Sequence, residues 1–152
     1  MKTGRLLLYF LLMLFATPWA LAQPIKSPEK TISAWQMMWN TYDLLQVDKL
    51  FAADHSVTYF SSEYAGLIQG IEVLRDHHAR FGFVNGGKSS ENKLWLEEIR
   101  YKPSSGQHCL VTATWYFQRA GSNQLQAGPV TFILVKNKGG WRIQHAHFSN
   151  NP

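Results

Sequence analysis

One cysteine in 152 residues excludes an intrachain disulfide framework. Cys109 sits between His108 and Leu110-Val111, a β-like context that predicts a packed thiol. Beyond the N-terminus no second long hydrophobic run follows, which predicts no membrane contact after the leader is removed. There is no basic stripe interleaved with aromatics, so nucleic acid is not an expected partner. No nucleophile elbow, Ser-His-Asp order, repeat or low-complexity segment occurs. Gly86-Gly87-Lys88-Ser89 has the ending of a phosphate loop, but it follows a helical pattern and lacks the upstream glycine. It reads as a turn.

What is present begins with a leader. Lys2 and Arg5 precede the apolar run Leu6 to Phe15, and Ala20-Leu21-Ala22 offers a small-x-small cleavage site. These features predict a secretory signal peptide over 1–22, a mature chain beginning at Gln23, and export to a bacterial periplasm. Removing Lys2 and Arg5 takes the net charge from +5 to +3. Residues 23–152 then suffice for one domain with its own core.

Ser27-Pro28-Glu29 is a helix start, with a hydroxyl cap, a first-turn proline and an early carboxylate. Ile32, Trp35, Trp39 and Tyr42 form one helical stripe, widened by Met37, Met38, Leu44 and Leu45. A second short helix is predicted from Asp48 over Lys49 to Ala53. His55 to Phe60 reads as a strand, and Tyr64 to Ile68 as its return. A third helix after Gly70 buries Ile71, Leu74, His78 and Phe81, with His77 beside them. Four strands follow: Leu94 to Tyr101, His108 to Gln118, Ala127 to Lys136, and a last one after Gly139-Gly140. This order predicts an α+β fold with helices on one face of a curved antiparallel sheet. The later strands are apolar on both faces, which predicts a second copy of the chain over the outer face, a homodimer.

The final strand carries Trp141, Ile143, His145 and His147 at every second position. Alternation places two apolar groups and then two imidazoles on one face, which predicts a strand that starts in a core and ends in a pocket. Cα atoms two apart on a strand are separated by roughly 6–7 Å, close enough to share a metal ion if a third ligand such as His55 or His78 joined them. Nothing else in the chain has ligand spacing, so no metal and no cofactor is predicted.

The element order resembles the nuclear transport factor two-like, or SnoaL-like, superfamily of cone-shaped α+β barrels. Leu50-Phe51-Ala52-Ala53-Asp54 before a strand resembles the exit of its second helix, and Gly66, Gly70 and Leu74-Arg75 resemble the approach to its third. Gly140 to Ser149, with a Trp followed by His-x-His-x-Ser, is most similar to the calcium/calmodulin-dependent protein kinase II association-domain branch. The resemblance implies a SnoaL-like cystatin-type barrel with a conical pocket and a tendency to oligomerise through the back of the sheet. Thr114 and Phe132 stand where that branch carries pocket arginines, which implies a less anionic ligand.

Within such a fold the expected pocket residues are Trp39, Tyr42, Tyr59, His78, Phe81, Thr114, His145 and His147. An aromatic cavity with few polar groups predicts a small apolar or weakly polar ligand. Three functions fit. The first is a secreted pocket protein. The second is a cofactor-independent isomerase, dehydratase or cyclase with His78 or His145 as base. The third is an oligomerisation or interaction module. Asp54, the one acid expected near the cavity mouth, reads first as a turn residue.

Overall fold

Ser27 caps the first helix, its hydroxyl accepting from the Lys30 amide at 3.3 Å. The computed structural model describes residues 24–152, and the expected leader over 1–22 lies outside them. Helix α1 spans Pro28–Thr41 and ends where Tyr42 turns left-handed at φ 53°. Its predicted stripe is buried throughout, with Trp35 at the centre. Met37 and Leu45, expected to widen that stripe, are exposed. Helix α2 (Leu45–Leu50) starts earlier than predicted. The carboxylate of Asp43, not Asp48, accepts from the Leu45 amide at 3.1 Å and the Gln46 side chain at 2.7 Å, satisfying first-turn donors.

Strand β1 is only Thr58–Phe60, and β2 is Ile68–Gln69. The predicted start of β1 at His55 is lost because Asp54 holds the Ser56 amide at 2.8 Å in a turn. Helix α3 (Ile71–Arg80) follows Gly70 as expected. Strands β3 (Lys93–Ser105), β4 (His108–Gln118), β5 (Leu125–Asn137) and β6 (Gly140–Phe148) form the long meander.

The six strands make one sheet in the order β2-β1-β6-β5-β4-β3. It is not wholly antiparallel, as the sequence had suggested. β1 runs parallel to β6, with Thr58 opposite His145 and Phe60 opposite His147. β1 and β6 are joined through β2, α3 and the β3–β5 meander, the long connection that a parallel pair requires.

Helix α1 is fixed across the sheet at both ends. Just before it, the Ile25 carbonyl accepts from the Trp141 amide at 3.0 Å. Asn40 pairs with both backbone groups of Leu94, at 2.9 and 2.8 Å. These bonds set Trp35 and Trp39 over the inner face. Trp35 packs on Phe132 (ring centroids 5.0 Å) and Phe148 (5.4 Å). Each such aromatic buries about 150–250 Å², worth roughly 4–6 kcal/mol of transfer free energy before ordering entropy is subtracted.

β4 alternates as predicted, with Cys109, Val111, Ala113, Trp115 and Phe117 inward. The free thiol of Cys109 is buried. β6 departs from strict alternation. Ile133 pairs with His145 and Leu134 with Ile143, so Gln144 has no partner of its own across the ladder. This bulge shifts the strand by one side-chain phase. Trp141 and Ile143 point inward before it, and Ala146 and Phe148 point inward after it. A second irregularity lies between Glu97 and Arg100 of β3, with Glu98 at φ 53°.

Candidate functional site

Between α1, the end of α3 and the inner face of the sheet lies a cavity of about 30 Å³. Trp39, Tyr59, Phe81, Leu94, Trp115, Phe117 and Phe148 supply its apolar wall. Ser61, Ser62, Glu63 and Gln126 supply its polar side. The rings are interlocked. Trp39 meets Phe81 at 5.7 Å and Phe117 at 6.1 Å, both edge-on, and Tyr59 lies 5.4 Å from Phe148. Edge-to-face packing at these separations is a favoured aromatic geometry. The space is that of about one water, so the inner cavity is narrow.

It lies beside a wider vestibule of about 370 Å³, lined by Glu63, Tyr64, His77, Arg80, Phe81 and Arg119. Glu63 and Phe81 belong to both spaces. The loop after β1 reaches this point because β1 pairs with the end of β6, while Arg119 arrives from the turn that follows β4. Glu63 Oε1 accepts from Arg119 and from Gln126 Nε2, the latter at 3.1 Å. Asn150 Nδ2 donates to the Ser62 carbonyl at 2.9 Å. Three contacts thus tie the 61–67 loop over the cavity.

Trp39, Tyr59 and Phe81 therefore stand where the sequence placed them. The other five expected residues do not line the cavity. Tyr42 packs on Phe83 (4.7 Å) and its hydroxyl accepts from Asn92 at 2.6 Å. Thr114 is on the outer face of β4, where its hydroxyl donates to Glu98 at 3.4 Å. His145 and His147 are also on the outer face, turned there by the bulge at Gln144. His145 Nδ1 lies 2.8 Å from the Thr58 hydroxyl, and the ring of His147 is 5.1 Å from that of Phe60. Burial, and then His147, lower the pKa of His145.

His78 is fully buried behind the cavity, against Trp39 (5.6 Å), Tyr59 (5.8 Å) and Phe83 (5.2 Å). Its Nδ1 lies 2.9 Å from the Leu74 carbonyl. A carbonyl only accepts, so Nδ1 carries the proton and Nε2 the lone pair. Among the described residues Nε2 has no partner, and burial pushes the pKa down to about 4. The group is a neutral imidazole sealed from solvent. Of the two bases suggested for an enzyme, His78 is thus sealed and His145 lies on the wrong face.

His77, the neighbour, does line the vestibule. Its Nε2 is buried with no partner among the described residues, and burial, then Arg80, lower its pKa. Burial first and Glu63 second raise that of Tyr59, so its hydroxyl is a proton donor at neutral pH. Among the described residues the indole N–H of Trp39 also lacks a partner.

The sequence reading passed over Glu63, Arg119 and Gln126. Each sits in a turn or strand end, and only the parallel β1–β6 pairing and the β4–β5 turn bring them together. Trp115 and Phe117 were legible as inward residues of β4, though not as cavity wall. The Gly86-Gly87-Lys88 turn has no free cradle. The Gly86 amide is held by Asp43 at 3.0 Å, that of Gly87 by Val84 at 3.0 Å, and that of Lys88 by Thr41 at 2.9 Å. Among the described residues no three His, Cys, Asp or Glu side chains are grouped to hold a metal ion, and no helix is long and apolar enough to cross a membrane.

No protein-family model and no curated protein matches the chain. Solved structures do. A nuclear transport factor 2-like superfamily protein from Salmonella enterica serovar Typhimurium superposes with a TM-score of 0.66 at 19% identity, covering 81% of this chain and 87% of that one. A Thiobacillus denitrificans protein provisionally named a calcium/calmodulin-dependent protein kinase type II association domain gives 0.69 at 14% identity, over 85% and 98%. A Novosphingobium aromaticivorans protein provisionally named a scytalone dehydratase gives 0.65 at 12% identity, over 82% and 81%. The order of elements, the curved mixed sheet with helices on its inner face and these superpositions agree: the chain has the nuclear transport factor 2-like, cystatin-type α+β fold.

Proposed function

We propose that this chain is a secreted pocket protein that binds a small, mostly apolar molecule between α1, the end of α3 and the sheet. The observation that carries this reading is the aromatic cavity with a polar mouth, lined in part by Trp39, whose buried indole N–H has no partner among the described residues. A buried donor without a partner costs about 1–3 kcal/mol, which a bound polar atom would recover. The cavity alone is too small for a drug-sized ligand. The ligand's bulk therefore occupies the vestibule, and only its tip passes Phe81. Export to a periplasm rests on the leader features of residues 1–22. A homodimer through the outer face is part of the same reading: Phe60, Tyr116, Trp95 and Ile133 leave apolar surface there, with Trp95 stacked on Tyr116 at 5.2 Å.

Binding without turnover is favoured over the enzyme reading because neither suggested base lines the cavity. Native mass spectrometry of protein purified from its own compartment tests the proposal. The expected result is a retained small molecule that raises the melting temperature when added back. Protein that carries nothing, and that no small apolar compound stabilises, would refute it.

A further inference from the structure

The vestibule has a charge character that the aromatic cavity lacks. Its wall holds two guanidiniums, Arg80 from the last turn of α3 and Arg119 from the turn after β4, against one carboxylate, Glu63. Arg80 has no carboxylate within ion-pair distance among the described residues. Arg119 pairs with Glu63, but both side chains are partly exposed, 47% and 31%. A surface pair of this kind is worth about 0–1 kcal/mol. Sharing Arg119 with a second anion therefore costs little, and one bond to Glu63 leaves most of its five N–H donors available.

We propose that the molecule bound at this site carries one carboxylate, held in the vestibule by Arg80 and Arg119, with an apolar body directed past Phe81 toward the inner cavity. This rests on the pocket reading above and names the ligand's head group. Asp76, one turn before Arg80 on α3, lines an adjoining cleft that Arg80 and His77 also line, so two carboxylates already stand near the two guanidiniums and the site suits one anionic group rather than two. A planar guanidinium also matches a carboxylate in two-point geometry.

Size agrees. At about 370 Å³ the vestibule is at the low end of small-molecule sites, which run from about 300 to 1,000 Å³. The expected loss of arginines at Thr114 and Phe132 does not bear on this. Thr114 lies on the outer face, and Phe132 is fully buried against Trp35.

Calorimetric titration with phenylacetate, phenylacetamide and acetate separates the possibilities. Acid and amide share shape and differ in charge, while acetate lacks the apolar body. The expected order is phenylacetate about tenfold tighter than either comparator, with the advantage over the amide shrinking at high salt. Arg80→Gln and Arg119→Gln should each remove most of that advantage, with Arg80→Gln affecting the amide less because Arg119 also holds Glu63 and its loop. Equal affinity for acid and amide, or indifference to both substitutions, overturns this inference and leaves the pocket reading standing. Acetate binding as tightly as phenylacetate overturns the apolar-body part. If none of the three binds, the inference falls, and the pocket reading falls with it only where the purified protein also carries no small molecule.

Discussion

Charging His78 requires placing a cation in a wholly aromatic and aliphatic enclosure. Its ordinary pKa of 6.5 falls to about 4 in the folded protein, chiefly through burial. Because the folded value is the lower one, the unfolded chain binds more protons between these limits, and stability rises with pH across them. The contribution is complete above about pH 6.5 and is lost as pH falls to about 4. A shift of that size corresponds to about 3 kcal/mol. Other groups also change charge as pH falls, so a comparison isolates the effect. His78→Leu keeps an apolar side chain of similar bulk, leaves the Leu74 carbonyl its helical amide bond, and removes the titration. Urea unfolding of both proteins at about pH 7 and pH 4 is the assay. Wild type should lose about 3 kcal/mol more than the variant over that interval. Equal losses would refute the argument, because they would show that His78 is solvated or finds a partner for its charged form.

Further outcomes follow from the same geometry. A Cβ at Gly128 would lie 1.9 Å from the Ser149 carbonyl oxygen, the atom that accepts from Trp115 Nε1 at 2.9 Å. Gly128→Ala should therefore destabilise the fold by about 2–3 kcal/mol, measured by chemical denaturation; a change below about 0.5 kcal/mol would mean the tail is not packed there. Under native conditions diethyl pyrocarbonate should modify His55, exposed in the turn before β1, and spare His78, as read by peptide mass spectrometry; comparable rates at both would contradict the sealed core. Ile133→Arg on the outer face should turn the proposed dimer into a folded monomer in sedimentation, whereas wild type sedimenting as a monomer would remove the dimer.

Much of the fold was legible because local chemistry and tertiary structure agree. The Ser27 cap, the Ile32-Trp35-Trp39-Tyr42 stripe and the alternation of β4 each report burial directly. The site was less so. Placing His145 and His147 in the pocket assumed unbroken alternation after Trp141 and Ile143, and one unpaired residue, Gln144, reversed both. With that residue set aside, Trp141, Ile143, Ala146 and Phe148 alternate as one inward face, so the apolar pattern did carry the bulge. The polar mouth had no comparable signal. Glu63, Gln126 and Arg119 lie far apart in sequence and meet only through the parallel β1–β6 pair and the β4–β5 turn, and long-range pairing leaves no local period. Burial of His78 was read correctly as a helical stripe position, but its depth, which seals the ring away from the cavity, depends on Phe51 and Phe83 closing over it (6.0 and 5.2 Å).

The central claim is that ligand enters between the helices and the inner face of the sheet. Indole N–H resonances can locate it, because the tryptophans divide between the faces. Trp39 and Trp115 line the cavity, whereas Trp95 is stacked on Tyr116 on the outer face, with its N–H on Glu97 at 3.0 Å. In heteronuclear NMR of labelled protein titrated with phenylacetate, the Trp39 and Trp115 signals should move together and saturate while Trp95 stays fixed. Movement of Trp95 alone, or of none of the three, would contradict the account.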